Sequence, residues 1–257
     1  MSDAIPVFPY PSPRVKLVSM DRPWHWLSLG WHDLVRAPQV SFAYGGVLVA
    51  LSIAITLGLY LIDALYLLLP ATAGFMLVAP VLAVGLYETS RRLAAGEPVS
   101  VNVALGAWRR NTGQLAVLGL VLMLLHLFWI RIALLLYPLF FTGDYPASAD
   151  LIQVIFFSPA SLPFLVTGTI LGAFLAALVF AIGAVSIPML IDREVGAITA
   201  IVTSVTAVRA NFRAMALWAV LIVGFTAVGL VLLYLGLAVT LPLIAHASWH
   251  CYKDLVE

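Results

Sequence analysis

The sequence predicts an all-α polytopic membrane protein: about six transmembrane helices with amphipathic helices on the inner leaflet. Three observations predict it. First, 63% of the 257 residues are apolar and only 10% are charged, with a mean hydropathy of +1.08. A soluble domain holds roughly 45–50% apolar and about 25% charged residues, so this chain could not cover a soluble surface. Second, long charge-free apolar runs recur at about the 20 residues a bilayer requires. Third, lysines and arginines gather in alternate connections, as the positive-inside rule demands of a threaded chain. The net charge of +1 sums two unlike faces and points to no nucleic-acid partner.

The elements follow in order. Residues 1–22 form an arm whose proline-rich IPVFPYPSPR suits neither helix nor sheet; it is expected to be extended, as a docking arm or a mobile tail. Everything from 23 to 257 reads as one membrane domain. Within 23–36, Trp24, Leu27, Trp31 and Leu34 share a helical face, with His25, His32 and Arg36 displaced toward another. Tryptophans prefer the headgroup level, so an inner-leaflet helix is expected there. No apolar core followed by a small-residue cleavage site occurs in the first 30 residues, so the first span is expected to direct insertion.

Spans are expected at 40–62, 66–87, 112–137 and 162–190. The next run, from Ala214 to Cys251, holds no Lys, Arg, Asp or Glu over its 38 residues. As one helix it would be about 57 Å long, nearly twice the hydrocarbon thickness. Two spans, 213–235 and 239–253, fit better, with the turn near Gly236. Thr240 could then cap a helix that holds Pro242 in its first turn.

Eleven of the 13 lysines and arginines lie in the N-terminal segment and in the connections after spans two and four. The connections near 63–70 and 142–161 hold only Asp63, Asp144 and Asp150. The N-terminus is therefore expected to be cytoplasmic, and a sixth span would put Lys253 there too. The two basic connections also resemble each other: AWRRN at 107–111 and AVRAN at 207–211 share A-x-R-x-N, with Arg109, Arg209 and Asn211 among the motif residues. Amphipathic elbow helices are expected at about 99–109 and 194–209. In the second, Ile198, Ile201, Val202, Val205 and Val208 recur at helical spacing opposite Thr199, Thr203 and Thr206. A proline precedes each elbow, Pro80 and Pro188. The pattern is a parallel repeat of span, elbow, span.

Few residues invite chemistry. In LPLIAHASWHCYKDLVE, His246 and His250 lie four apart on one helical face, as two ligands of one metal ion would. A haem held by two imidazoles needs them on opposite sides of its ring, so a second helix must contribute, and His126 is the remaining intramembrane histidine. The bland reading has His246 bond a neighbouring helix, while Trp249, His250 and Tyr252 form an interfacial belt with Lys253. Arg131 is the sharpest anomaly, since a charge in lipid costs about 2.5–3.5 kcal/mol on insertion scales. It could snorkel to a lipid headgroup, pair with Asp63 or Asp144, or hold an anionic ligand. Asp192 and Glu194 precede the second elbow, where carboxylates favour the helix dipole. The single cysteine, Cys251, excludes an internal disulfide and C-x-x-C-H haem attachment. No phosphate loop, H-E-x-x-H or G-x-S-x-G occurs. No cofactor is predicted; a haem or metal remains an alternative at His246, His250 and His126.

SIPMLIDRE, then AVRAN with Trp218 after it, then GLAVTLPLIAHASWHCYKDL closely resemble the bacterial membrane-protein family called domain of unknown function 2189. FWIRIALLLYPLFF is similar to that family as well. The likeness covers roughly residues 85–255, and the P-x-x-x-H-A-x-W-H-x-Y ending is its most specific part. The resemblance implies a multi-span bacterial inner-membrane protein and no established activity. Some relatives carry a cytochrome c oxidase subunit label, but a subunit I core needs more spans and more mid-membrane histidines than this chain has. The expected function is a non-catalytic accessory or assembly component of a membrane complex, respiratory ones included, with lipid, other subunits or self-association as partners. The alternatives are a channel, carrier or lipid-handling protein built on the repeat, and a haem- or metal-binding redox protein.

Overall fold

A computed structural model describes residues 13–257 apart from 143, 144 and 148. Residues 1–12 of the arm, and Asp144 as a partner for Arg131, lie outside the described residues. The chain folds as α1 (Arg22–Arg36), α2 (Pro38–Leu61), α3 (Leu68–Leu82), α4 (Val84–Ala95), α5 (Val101–Leu105), α6 (Thr112–Phe140), α7 (Leu151–Phe157), α8 (Ser161–Gly183), α9 (Ser186–Asp192), α10 (Ala197–Ala210), α11 (Phe212–Val231) and α12 (Leu237–Leu255). Among the described residues there is no strand, only an isolated antiparallel bridge between Val15 and Val256. The protein is an all-α polytopic membrane protein.

Four rods are long and apolar enough to cross a bilayer: Pro38–Leu61, Thr112–Phe140, Ser161–Asp192 and Phe212–Val231. The second apolar stretch is divided. Pro80 cannot donate to the helical ladder, and the helix stops at Leu82 and restarts at Val84. The fourth breaks likewise between Gly183 and Ser186, just before Pro188. The Val185 N–H at this break donates to Ser204 Oγ at 3.1 Å, and that hydroxyl donates to Ala181 O at 2.8 Å. The two short segments beyond the breaks, α4 and α9, pack against each other.

α12 is the central helix, flanked by α1, α2, α4, α9 and α11. It is buried along most of its length, so its histidines and serines face protein. The turn before it forms where expected: Leu233 and Tyr234 take positive φ angles of 52° and 67°, and Gly236 precedes the first helical residue. The helix then starts at Leu237, three residues before Thr240, which caps nothing; its buried hydroxyl has no partner among the described residues. Pro242 consequently lies inside the helix and not in its first turn. Its missing N–H frees the Ala238 carbonyl four residues back. Gly45 of α2 packs against that carbonyl, so closely that a Cβ there would lie 2.3 Å from the oxygen. Pro138 in α6 frees the Leu134 carbonyl in the same way, and there the Tyr145 hydroxyl donates to it at 2.8 Å.

Helix α1 packs chiefly on α12. Its buried residues include Trp26, Leu27, Gly30, Asp33 and Leu34, whereas Trp24 and Trp31 remain 56% and 52% exposed. The face expected from the sequence is thus split: its leucines point inward and its tryptophans outward. In α10 the packed face is Ala197, Ala200, Thr203, Ser204 and Ala207, and Ile198 and Val202 point away. Small residues let α10 lie close on α8 and α9, with Ile201 and Val208 at the edge of the contact and Ile198 and Val202 left outward.

The basic segments meet at one end. Lys16 N–H donates to Leu255 O, Arg22 pairs with Asp254, Arg193 donates to Tyr252, and Arg110 donates to Ile191 O. At the other end Tyr66 stacks on Tyr145, which tilts against Tyr137.

Candidate functional site

The densest group of buried polar side chains sits at the cationic end, where α1, α2, α4 and α12 converge. His246 is fully buried, and both its ring nitrogens are engaged. Nε2 lies 3.0 Å from Ser41 Oγ of α2, and Nδ1 lies 2.8 Å from Ser90 Oγ of α4. Ser41 Oγ also lies 2.9 Å from Ala37 O, so its single proton is shared between that carbonyl and the ring. One imidazole thus joins three helices.

One turn on, His250 Nε2 donates to Asp33 of α1 at 2.8 Å. Asp33 is 5% exposed. Burial pushes its carboxyl upward, but hydrogen bonds from His250 and Ser90 outweigh that and hold it below the ordinary 3.8. Ser90 stands between His246 and Asp33, and its single proton serves one of them at a time. Asp254 anchors the start of α1. It accepts from Arg22 Nε at 2.7 Å, Arg22 Nη2 at 2.8 Å and Trp26 Nε1 at 2.9 Å.

Glu88 of α4 is only 2% exposed and holds a cluster of arginines. Arg91 reaches it at 2.8 and 3.0 Å, Arg92 at 2.8 Å and Arg110 at 3.7 Å. Burial raises its carboxyl, and the bonds from Arg91 and Arg92 more than reverse this. Asp192, expected near the start of the second elbow helix, instead ends α9. It accepts from Tyr252 OH at 2.7 Å and Lys253 Nζ at 2.9 Å. The first N–H of α10, at Ala197, goes to Gln114 Oε1 of α6 at 2.8 Å.

The other singled-out residues are dispersed. His126 does not meet His246 or His250. Its ring packs over Gly74 of α3, and its Nδ1 is buried without a partner among the described residues. Among the described residues no three of His, Cys, Asp and Glu converge as a metal site. A metal or haem at His246 would have to displace Ser41 or Ser90. Trp249 is 1% exposed and Tyr252 fully buried, so they do not form the expected interfacial belt. Trp249 meets Tyr252 edge-on, with the Lys253 ammonium 5.8 Å from its ring. Pro188 is buried in α9. Arg109, Arg209 and Arg131 are exposed, with no ion pair or hydrogen bond among the described residues.

Sequence reasoning missed Ser41, Ser90, Asp33 and Glu88. Serines carry no sequence signal. Asp33 does, because it continues the Trp26, Gly30 stripe of α1, and a carboxylate on a packed face requires a partner. Glu88 is the first charge after an apolar stretch of 24 residues that begins at Ala64.

Residues 68–192 match the family model described as "Predicted integral membrane protein (DUF2189)". The match takes in α3 to α9 and stops short of the histidine-bearing α12. No curated protein and no solved structure matches the chain.

Proposed function

We propose that this chain, a predicted integral membrane protein carrying the DUF2189 region, is a non-catalytic accessory or assembly component of a larger membrane complex. One observation carries the reading. The four apolar rods bury only 22–33% of their most hydrophobic windows within the chain itself. Long apolar faces are thereby left for lipid or for the helices of another subunit, while the buried polar groups of the cationic end are bonded to one another. We place that end at the cytoplasmic face of a bacterial inner membrane, because it collects all the lysines and arginines except Arg131.

The test is affinity isolation from native membranes in mild detergent, with optical spectra of the product. A reproducible membrane-protein partner at near-stoichiometric yield is expected. Repeated recovery of the chain alone would overturn the proposal, and a Soret band in that lone chain would move the reading to a haem protein. The carrier reading has one feature in its favour. Ser52, Thr56, Thr72, Thr226 and Tyr234 line a crevice of about 60 Å³ between α2, α3, α11 and α12. A water's centre needs about 10–15 Å³, so the crevice holds about four to six water molecules.

A further inference from the structure

The two A-x-R-x-N elbows place equivalent asparagines, Asn111 and Asn211, immediately before α6 and α11. Both reach out to hold a segment from elsewhere in the chain. Asn111 Nδ2 donates to Leu190 O and Val195 O, each at 3.4 Å. Asn211 makes the tighter clamp. Its Nδ2 donates to Lys16 O at 2.9 Å, and its Oδ1 accepts from Val18 N–H at 2.8 Å, so one amide reads the main chain of two residues at once. The same Nδ2 also donates to Ala207 O of the preceding α10 at 3.1 Å.

The opposite edge of residues 14–18 is held as in a β-ladder. Lys16 N–H donates to Leu255 O at 2.8 Å, and Glu257 N–H donates to Arg14 O at 3.0 Å. Arg193 braces this edge from behind by donating to Glu257 O at 2.6 Å. Val15 and Val18 turn toward the core, whereas Leu17 is 79% exposed. Main-chain bonds hold the segment, and two small β-branched side chains give it register.

The two clamps differ in what they hold. The segment under Asn111 is fixed on both sides, by α9 and α10. The segment under Asn211 joins the described bundle on one side only, through α1, so it can leave without unfolding a helix. We propose that the cleft between Asn211 and residues 255–257 is a binding site for an extended peptide with valine-like side chains at i and i+3. This chain's own residues 14–18 occupy it in cis. The inference does not rest on the assembly reading above, since it concerns a site already filled within one chain.

The probe is a fluorescein-labelled peptide of residues 13–20, PRVKLVSM, added to full-length protein in detergent and followed by anisotropy. In the double variant Val15→Asp/Val18→Asp the site is intact and its own occupant is spoiled. That variant should bind the probe saturably and at least about tenfold more tightly than wild type, and adding Asn211→Ala should abolish the gain. A folded double variant, with its Cys251 thiol still protected, that ignores the probe would overturn the proposal. So would equal binding to wild type. A second measurement needs no such variant. Trypsin cleavage after Arg14 and Lys16 should be about tenfold faster in Asn211→Ala than in wild type, with cleavage at Arg109 unchanged as the internal reference. Equal rates at Arg14 and Lys16 would refute the clamp directly.

Discussion

Two neighbouring glycines should respond to the same substitution with opposite signs. A Cβ built on Gly45 would lie 2.3 Å from Ala238 O and 2.7 Å from Ala238 Cα, whereas one built on Gly46 meets nothing within 4 Å. Ordinary carbon contacts begin near 3.5 Å, so Gly45→Ala must push α2 off α12 by about 1 Å. One turn away, the 3.0 Å contact between Ser41 and His246 would open to roughly 4 Å and cease to be a hydrogen bond. Overpacking costs about 1–3 kcal/mol and the stranded ring nitrogen another ~1–3 kcal/mol. Better helix propensity returns only ~0.5–1 kcal/mol. The net loss is about 3 kcal/mol, or roughly 6–12 °C in Tm for a chain of this size. Gly46→Ala should keep the propensity gain and melt at or slightly above wild type. Cys251 supplies the assay: it is the only cysteine and is fully buried, so a thiol-reactive dye reports unfolding directly. If Gly45→Ala melts with wild type, or Gly46→Ala falls as far, the close approach of α2 to α12 is not what holds this junction.

Other outcomes follow from the same geometry. Asp33, Glu88 and Asp254 all have carboxyls held below their ordinary values of 3.8, 4.5 and 3.8, so their stabilisation is present above those values and lost as pH falls through the lower folded ones. Melting temperature should therefore fall as the pH drops below about 4, and Asp33→Asn should flatten that limb; an unchanged acid profile would refute the assignment. Tyr145→Phe should cost about 1 kcal/mol by exposing the Leu134 carbonyl, and much less in a Pro138→Ala background, where the helix can bond that carbonyl itself; equal losses in both backgrounds would break the link. A C-terminal reporter fusion should score on the same side of the membrane as an N-terminal one, since residues 14–16 and 255–257 are bonded to each other. Opposite scores would be incompatible with this fold.

The apolar runs, the turn at Gly236 and the clustering of arginines were legible because each follows from one rule applied locally. So was the elbow motif, whose second asparagine forms the tighter of two clamps. Which side of a helix would be buried was far harder to read. In water, branched residues mark the inward face, but in a bilayer lipid is as apolar as leucine and a hydrophobic stripe does not tell inside from outside. That is why Ile198 and Val202 point outward while alanines, Thr203 and Ser204 are the buried residues of α10. Composition failed in the same way at Trp249, which resembles an interfacial tryptophan and is packed inside. The polar junction escaped for another reason. Asp33 and His250 are 217 positions apart, and nothing local to either announces the other.

The bridge between Val15 and Val256 has a temporal meaning as well. During synthesis residues 14–18 emerge ahead of the described helices, and 255–257 follow the last of these. Until then Asn211 alone can steady the early segment, and the edge that completes its grip arrives only after α12 has been made. A prematurely released chain would insert several spans and still leave that grip half made, with Val15 and Val18 within reach of a quality-control protease.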